Sequence, residues 1–145
     1  MRDYRGKREI TEGWEYGSLL RYADGDMAIC CTTEDPDALN QYLVSPETVG
    51  QCTGVFGDFI KGDPEPGDNI LRSFIYEGDI VEPVLMIGTH EVFSWGKQVV
   101  VFDRGAFCLK DHRGITTPLY NYAANVQFRV LGNVHDNPEL LEVSE

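Results

Sequence analysis

The chain of 145 residues lacks the run of about 20 apolar residues that a membrane span needs, and its basic start, MRDYRGKREI, is not followed by the apolar core of a secretory signal. A cytoplasmic protein is therefore expected. The cysteines Cys30, Cys31, Cys52 and Cys108 have no CxxC spacing, and adjacent Cys30 and Cys31 on one strand would face opposite sides, so they do not form a metal knuckle. A reducing cytosol and a chain long enough to bury its own core make disulfides unnecessary, which leaves free, mostly buried thiols. His90, His112 and His135 are the only histidines, and none stands at a ligand spacing from another His, Cys or carboxylate. No stoichiometric metal and no cofactor are expected. GxGxxG, P-loop, GxSxG and HExxH strings are also missing, so nucleotide, phosphate and common hydrolase chemistry have no support.

Basic residues are scarce as well. Lys and Arg total 12 against 24 Asp and Glu, a formal charge of −12, so the long-range field repels nucleic-acid phosphates and anionic membranes. Direct nucleic-acid binding and membrane contact are not expected. A charge of this size ordinarily serves solubility; the sharper alternative is an acidic mimic of nucleic acid, or a dock for a basic partner.

What the chain does have is turns. Its 15 glycines and 7 prolines divide short apolar runs, and no segment before the last few residues has a helical hydrophobic period of useful length. Met1 to Ile10 carries Arg2, Arg5, Lys7 and Arg8 without an apolar period and reads as a frayed arm. Alternation around Trp14 and Tyr16 leads into Ser18 to Tyr22, and Asp24 with Gly25 supplies the positive φ of a tight hairpin returning through Met27 to Thr32. Thr33 to Asn40 suits a loop or one helical turn, Gln41 to Val44 a short strand, Pro46 a turn, and Val49 to Val55 a further strand.

After Ser73 the pattern becomes a meander: Asp79 to Ile87, Glu91 to Trp95, Gln98 to Asp103, Ala106 to Lys110, Ile115 to Tyr120 and Val126 to Leu131. Pro83 places part of the first run at a sheet edge. Strands so short, joined by such turns, pack as a closed or half-closed antiparallel barrel, because a flat sheet would leave exposed edges. The chain ends on a short helix, with Asp136 or Asn137 as cap, Pro138 at the first helical position, and Leu140 and Leu141 turned onto the barrel.

Candidate chemistry is thin. Cys108 and His112 lie four residues apart across a strand and a turn, beyond hydrogen-bond reach at about 3.3 Å per residue unless the turn folds back. Glu77 and Asp79 bracket Gly78, where turn chemistry explains the residues better than an acid and base pair does. Asp24 to Asp26 lacks the remaining donors of a calcium loop. Most of the aromatic residues are needed to fill a small β core; Trp95, Tyr120 and Tyr122 are those expected at the surface.

Four strings, "GWEYG" (Gly13 to Gly17), "SPETVGQCTG" (Ser45 to Gly54), "FIYEGDIVEP" (Phe74 to Pro83) and "FRVLGNVHDNPELLE" (Phe128 to Glu142), resemble in order the YopX family of small bacteriophage and prophage proteins. The resemblance implies a mainly β protein with an N-terminal β-hairpin lobe, 1–57, and a C-terminal SH3-like roll, 73–145, into which the "GDIV" turn leads. In the family a short turn joins the TG and EGDIV strings, so 58–72 is an insertion in this chain. The implied function is that of a non-catalytic phage or prophage accessory protein acting in the host cytosol by binding another protein. The alternative is an acidic nucleic-acid mimic that blocks a host DNA-binding enzyme. No catalytic, cofactor-binding or metal residue is assigned, and an enzyme with an unrecognised site is the third reading.

Pro64 and Pro66 remove two backbone donors from the inserted segment, and its Gly-Asp pairs favour turns. Replacing Lys61 to Asn69 by a short glycine-containing turn should leave the melting temperature within a few degrees, because loop closure changes by only about 0.6 kcal/mol per doubling of length. Failure of the shortened protein to fold, seen by circular dichroism, would mean that Phe59, Ile60, Ile70 and Leu71 anchor a structural element.

Overall fold

Alternating side chains and frequent turns produce two β-sheets in the computed structural model, which describes residues 3–11, 13–31, 40–59 and 74–142. The strands in chain order are β1 Tyr4–Lys7, β2 Trp14–Arg21, β3 Met27–Cys31, β4 Asn40–Val44, β5 Gly50–Phe56, β6 Asp58–Phe59, β7 Phe74–Tyr76, β8 Asp79–Ile87, β9 His90–Ser94, β10 Gln98–Asp103, β11 Ala106–Lys110, β12 Thr116–Pro118 and β13 Val126–Asn133. One sheet has the order β4-β3-β2-β1-β5-β7; the other runs β12-β11-β10-β8-β13-β6, with β9 also on β8.

The Asp24–Gly25 tip forms as expected, with Gly25 at φ 95° and the Asp26 amide donating to Asp24 Oδ1 at 2.9 Å. The expected frayed arm does not. Arg5 and Gly6 are buried in β1, which pairs with β2 on one side and β5 on the other. The arm lacks an apolar period because its buried residues are an ion-paired arginine and a glycine. Gly6 also lets the sheet curl: a Cβ there would lie 2.8 Å from Val44 Cβ, and Val44 bridges to Arg8 beyond the end of β1. The first four strands thereby form a partly closed barrel.

The two sheets exchange strands at the segment between them. β7 follows that segment yet pairs with β5 in the N-terminal sheet, whereas β6 precedes it yet lies parallel to β13 in the C-terminal sheet. The expected insertion, 58–72, thus begins with β6; residues 60–72 lie outside the described residues, as does most of the expected loop at Thr33 to Asn40. Period-two alternation along β7 then sends Ile75 into a core with Val81, Val100, Leu109, Leu119 and Val130, while Tyr76 packs edge-on against Tyr16. Each such aliphatic residue contributes about 1.5–3 kcal/mol on burial.

Pro83 is fully buried in the middle of β8 and not at an edge, a correction to the sequence reading. It is tolerated because β8 bonds β10 through Ile80 and Val81 and β9 from Val84 onward, so its missing N–H faces the connection between them. Its carbonyl accepts from the Trp95 amide there at 3.1 Å. The expected C-terminal helix is a single 3₁₀ turn, Pro138–Leu141. Pro138 does stand at its start, but the Asn137 side chain leaves the cap to accept from the Asn133 amide at 3.2 Å. Other 3₁₀ turns are Pro46–Thr48 and Leu119–Asn121, and no helix among the described residues is long and apolar enough to cross a membrane.

The Glu77–Gly78 turn between β7 and β8 ties both sheets. Gly78 has φ 90°, its amide donates to Val100 O at 2.9 Å, and its carbonyl accepts from the Val134 amide at 2.8 Å. Glu77 contributes mainly one side-chain acceptor, Oε1, to the Gln51 amide at 3.1 Å. Gly78→Val should therefore cost about 1–3 kcal/mol through forced backbone strain, and Glu77→Ala about 1 kcal/mol through one lost hydrogen bond. Urea unfolding giving the reverse order would assign the carboxylate a role beyond the turn.

Candidate functional site

Two places concentrate polar chemistry, and the first is structural. Arg5 and Asp79 are 5% and 2% exposed and meet at 2.7 Å (Nη1 to Oδ1), joining the N-terminal sheet to the start of β8. Asp79 Oδ2 accepts from the Tyr76 amide at 2.8 Å, and Arg5 Nη2 donates to Glu77 O at 3.3 Å. The guanidinium lies 4.8 Å from the Trp14 ring centre and 5.2 Å from that of Tyr76. Burial pushes the Asp79 carboxyl up, against the pull of Arg5 and the Tyr76 amide. Burial also raises the Tyr76 phenol and the neighbouring Cys52 thiol, so both stay protonated. Asp79 of the EGD string is therefore a turn residue and half of an ion pair between the sheets. The sequence reading found the turn and missed the partner, because Arg5 lies 74 positions away in an arm without an apolar signature.

The second place is a groove of about 520 Å³ on the C-terminal sheet. Trp95, at the end of β9, stacks edge-on against Tyr122 with ring centres 5.5 Å apart; Tyr122 meets Phe128 at 5.5 Å, and Phe93 meets Trp95 at 5.0 Å. An aromatic row thus runs from the core at Phe128 out to Phe93, which is 53% exposed. Tyr122 follows the 3₁₀ turn that Leu119 pins into the core, and the side chains of Gln98 and Thr117 favour its ionised form. Burial nevertheless raises its phenol, which stays protonated. Buried Gln98 donates through Nε2 to Trp95 O at 3.4 Å and holds the connection from β9 to β10 in place.

Of the aromatics expected at the surface, Trp95 is 40% and Tyr120 79% exposed, and Tyr122 is half-buried in the groove wall. At one end Asp111 Oδ1 accepts from the amides of Arg113 and Ile115 at 2.9 and 3.0 Å, and Oδ2 from Arg113 Nη2 at 3.0 Å. Partial desolvation works to raise the Asp111 carboxyl, but these hydrogen bonds prevail and hold it below its ordinary value. Gln98, Asp111 and Arg113 carry no signal in the sequence beyond a strand start and a polar turn.

The remaining candidates do not converge. Cys108 is buried on β11 with its thiol toward Ala106 O at 3.6 Å, while His112 is exposed in the following turn. His90 is exposed on β9, and His135 packs against Trp14, where burial and Arg5 lower its imidazole. Among the described residues no three His, Cys, Asp or Glu side chains are grouped as a metal site would require, and Cys30, Cys52 and Cys108 are free thiols. These positions offer no assembled nucleophile and base.

Because Arg5 and Asp79 are both dehydrated, removing one leaves the other uncompensated, at about 3–5 kcal/mol. Arg5→Met alone should lose about that much in urea unfolding. Adding Asp79→Asn, which removes the charge and keeps an acceptor for the Tyr76 amide, should recover part of it. A double variant less stable than Arg5→Met would show that the two charges are not coupled.

The sequence family described as "YopX protein" matches residues 69–142, a little over half of the chain. No curated protein matches it. The crystal structure of protein yopX from Bacillus subtilis is similar over 99% of this chain and 98% of that chain, with a TM-score of 0.56 and 21% sequence identity. That likeness is one of fold, and it extends across both sheets, beyond the segment the family match covers. With the Glu77–Asp79 turn, the β8 to β13 meander and the closing Pro138 turn all inside the matched segment, the chain belongs to the YopX family.

Proposed function

We propose that this is a non-catalytic accessory protein of a phage or prophage, working in the host cytosol by binding another protein through the aromatic row on its C-terminal sheet. The observation that carries the reading is the Phe128–Tyr122–Trp95–Phe93 series, which is anchored in the core at one end and open to solvent at the other. Rigid aromatic side chains offer large contact area at little entropic cost, which suits a recognition face. We read the C-terminal lobe as an SH3-like roll; the long β8, which serves β10 and β9 in turn on one side and β13 on the other, supports that reading. In such folds aromatic grooves take extended peptide segments.

The charge of −12 is what favours the rival reading, a mimic of nucleic acid. A mimic presents its carboxylates outward, whereas Asp79, Asp136, Glu15, Asp111, Glu82 and Glu91 each face a basic side chain of this chain. Binding through the aromatic face accounts for more of the geometry.

Immobilised protein should capture a specific host protein from lysate, and Trp95→Ala should lose it while Tyr22→Ala, an exposed aromatic on the other sheet, retains it. Capture indifferent to Trp95, judged by mass spectrometry, would remove the aromatic row from the binding face.

A further inference from the structure

The outer face of the C-terminal sheet carries a hollow of its own, separate from the groove at Trp95. Val100 and Leu109 turn into the core, so alternation sends Val99 and Val101 of β10 and Lys110 of β11 to the opposite side, with Lys110 directly across from Val99. The Pro138–Leu141 turn stands over this face. Between the two lies a cavity of about 780 Å³, with Val99 and Val101 on the sheet side and Leu140 and Leu141 on the other. Clefts that take small ligands run from about 300 to 1,000 Å³. Val99 and Val101 are half-buried and Leu141 is 40% exposed, so the apolar walls do not close on each other. Among the described residues no aromatic ring lines this cavity, which makes its walls aliphatic.

The charges beside it run against the balance of the chain. The sequence has two acidic residues for each basic one, yet from Gly96 to Asn125 the residues Lys97, Arg104, Lys110 and Arg113 outnumber Asp103 and Asp111. Lys97 and Lys110 both line the cavity, and neither has a carboxylate partner among the described residues. Lys97 Nζ donates to Leu140 O at 3.4 Å, which sets the ammonium at the edge of the apolar walls with further protons to donate. The acidic residues of the lining are mostly engaged elsewhere. Glu82 faces Arg129 at 3.8 Å, a partner it shares with Glu91, and accepts from Ser94 Oγ at 2.9 Å. Asp111 has both oxygens taken within its own turn. Glu142, exposed just after the 3₁₀ turn, is left to oppose the two lysines. Aliphatic walls with two such lysines against one carboxylate select an anion with a hydrocarbon body.

We propose that this cavity binds an aliphatic monocarboxylate, its chain lying between Val99 and Val101 on one side and Leu140 and Leu141 on the other, and its head group held by Lys97 and Lys110. Lys97 to Val101 spans about 13 Å at about 3.3 Å per residue, which suits a chain of medium length. The ligand ties the Pro138–Leu141 turn to β10 on the face away from the aromatic row, so it does not compete with a protein bound at Trp95, and neither site depends on the other.

The probe is octanoate, titrated into the full chain by isothermal calorimetry, where one saturable site is expected. Hexanoate should bind on the order of tenfold more weakly, from the two methylenes it fails to bury. Octanol and octylamine, which keep the chain and change the head group, should both bind more weakly than octanoate, octylamine the weakest. Lys97→Gln and Lys110→Gln should each weaken octanoate about two- to fivefold, the range for exposed ion pairs, while octanol binding stays as it was; a general disturbance of the fold would lower both. Leu141→Asp should abolish octanoate binding, and Tyr22→Ala, on the other sheet, should leave it unchanged. No saturable site for octanoate, octanol bound as tightly as octanoate, or an unaltered octanoate affinity when both lysines are replaced would overturn the proposal. Octanoate binding that survives Leu141→Asp would place the ligand elsewhere and overturn it equally.

Discussion

The Arg5–Asp79 pair is the constraint on which the relation of the two sheets depends. Arg5 lies on a strand paired on both sides in the N-terminal sheet, and Asp79 opens the strand around which the C-terminal sheet is assembled. Neither charge can be hydrated where it sits, so any arrangement that separates them carries an uncompensated charge. A single buried aliphatic residue contributes about 1.5–3 kcal/mol, whereas loss of one member of the pair leaves a buried charge uncompensated at about 3–5 kcal/mol. Asp79 also accepts from the Tyr76 amide, which sets the turn that sends Ile75 and Tyr76 to opposite sides of β7.

The exchange of β6 and β7 follows the same logic. Neither sheet closes its core alone, since Ile75 and Val55 of one pack with Val81, Val100 and Leu109 of the other. Tyr122 and Phe128 belong at once to that shared core and to the aromatic row, so the row is backed by the packed interior.

Acidity has a divided role in this fold. Carboxylates at the sheet junction and on the β13 face are spent on internal partners, as in Lys7–Asp136 at 2.6 Å and Arg129–Glu91 at 3.0 Å. Asp111 differs in being held through one oxygen by the backbone and through the other by an exposed side chain. The first arrangement joins separate strands, and the second closes a single turn.

β9 lies one residue earlier than expected, and the other three strands from Asp79 to Lys110 were legible to the residue, because period-two alternation and turn residues are local properties of the chain. So were the Asp24–Gly25 hairpin, the Gly78 turn and the exposure of Trp95 and Tyr120. Three other features depended on partners distant in sequence. β1 was invisible because its burial rests on Asp79 and Val44, not on apolar residues. Pro83 pointed to an edge because a central strand normally needs its N–H, and only the handover from β10 to β9 removes that need. The sheet membership of β6 and β7, and the meeting of Trp95, Gln98, Asp111 and Tyr122 in one groove, were decided by tertiary packing, since pairing partners and shared cavities are relations between segments that no local pattern encodes.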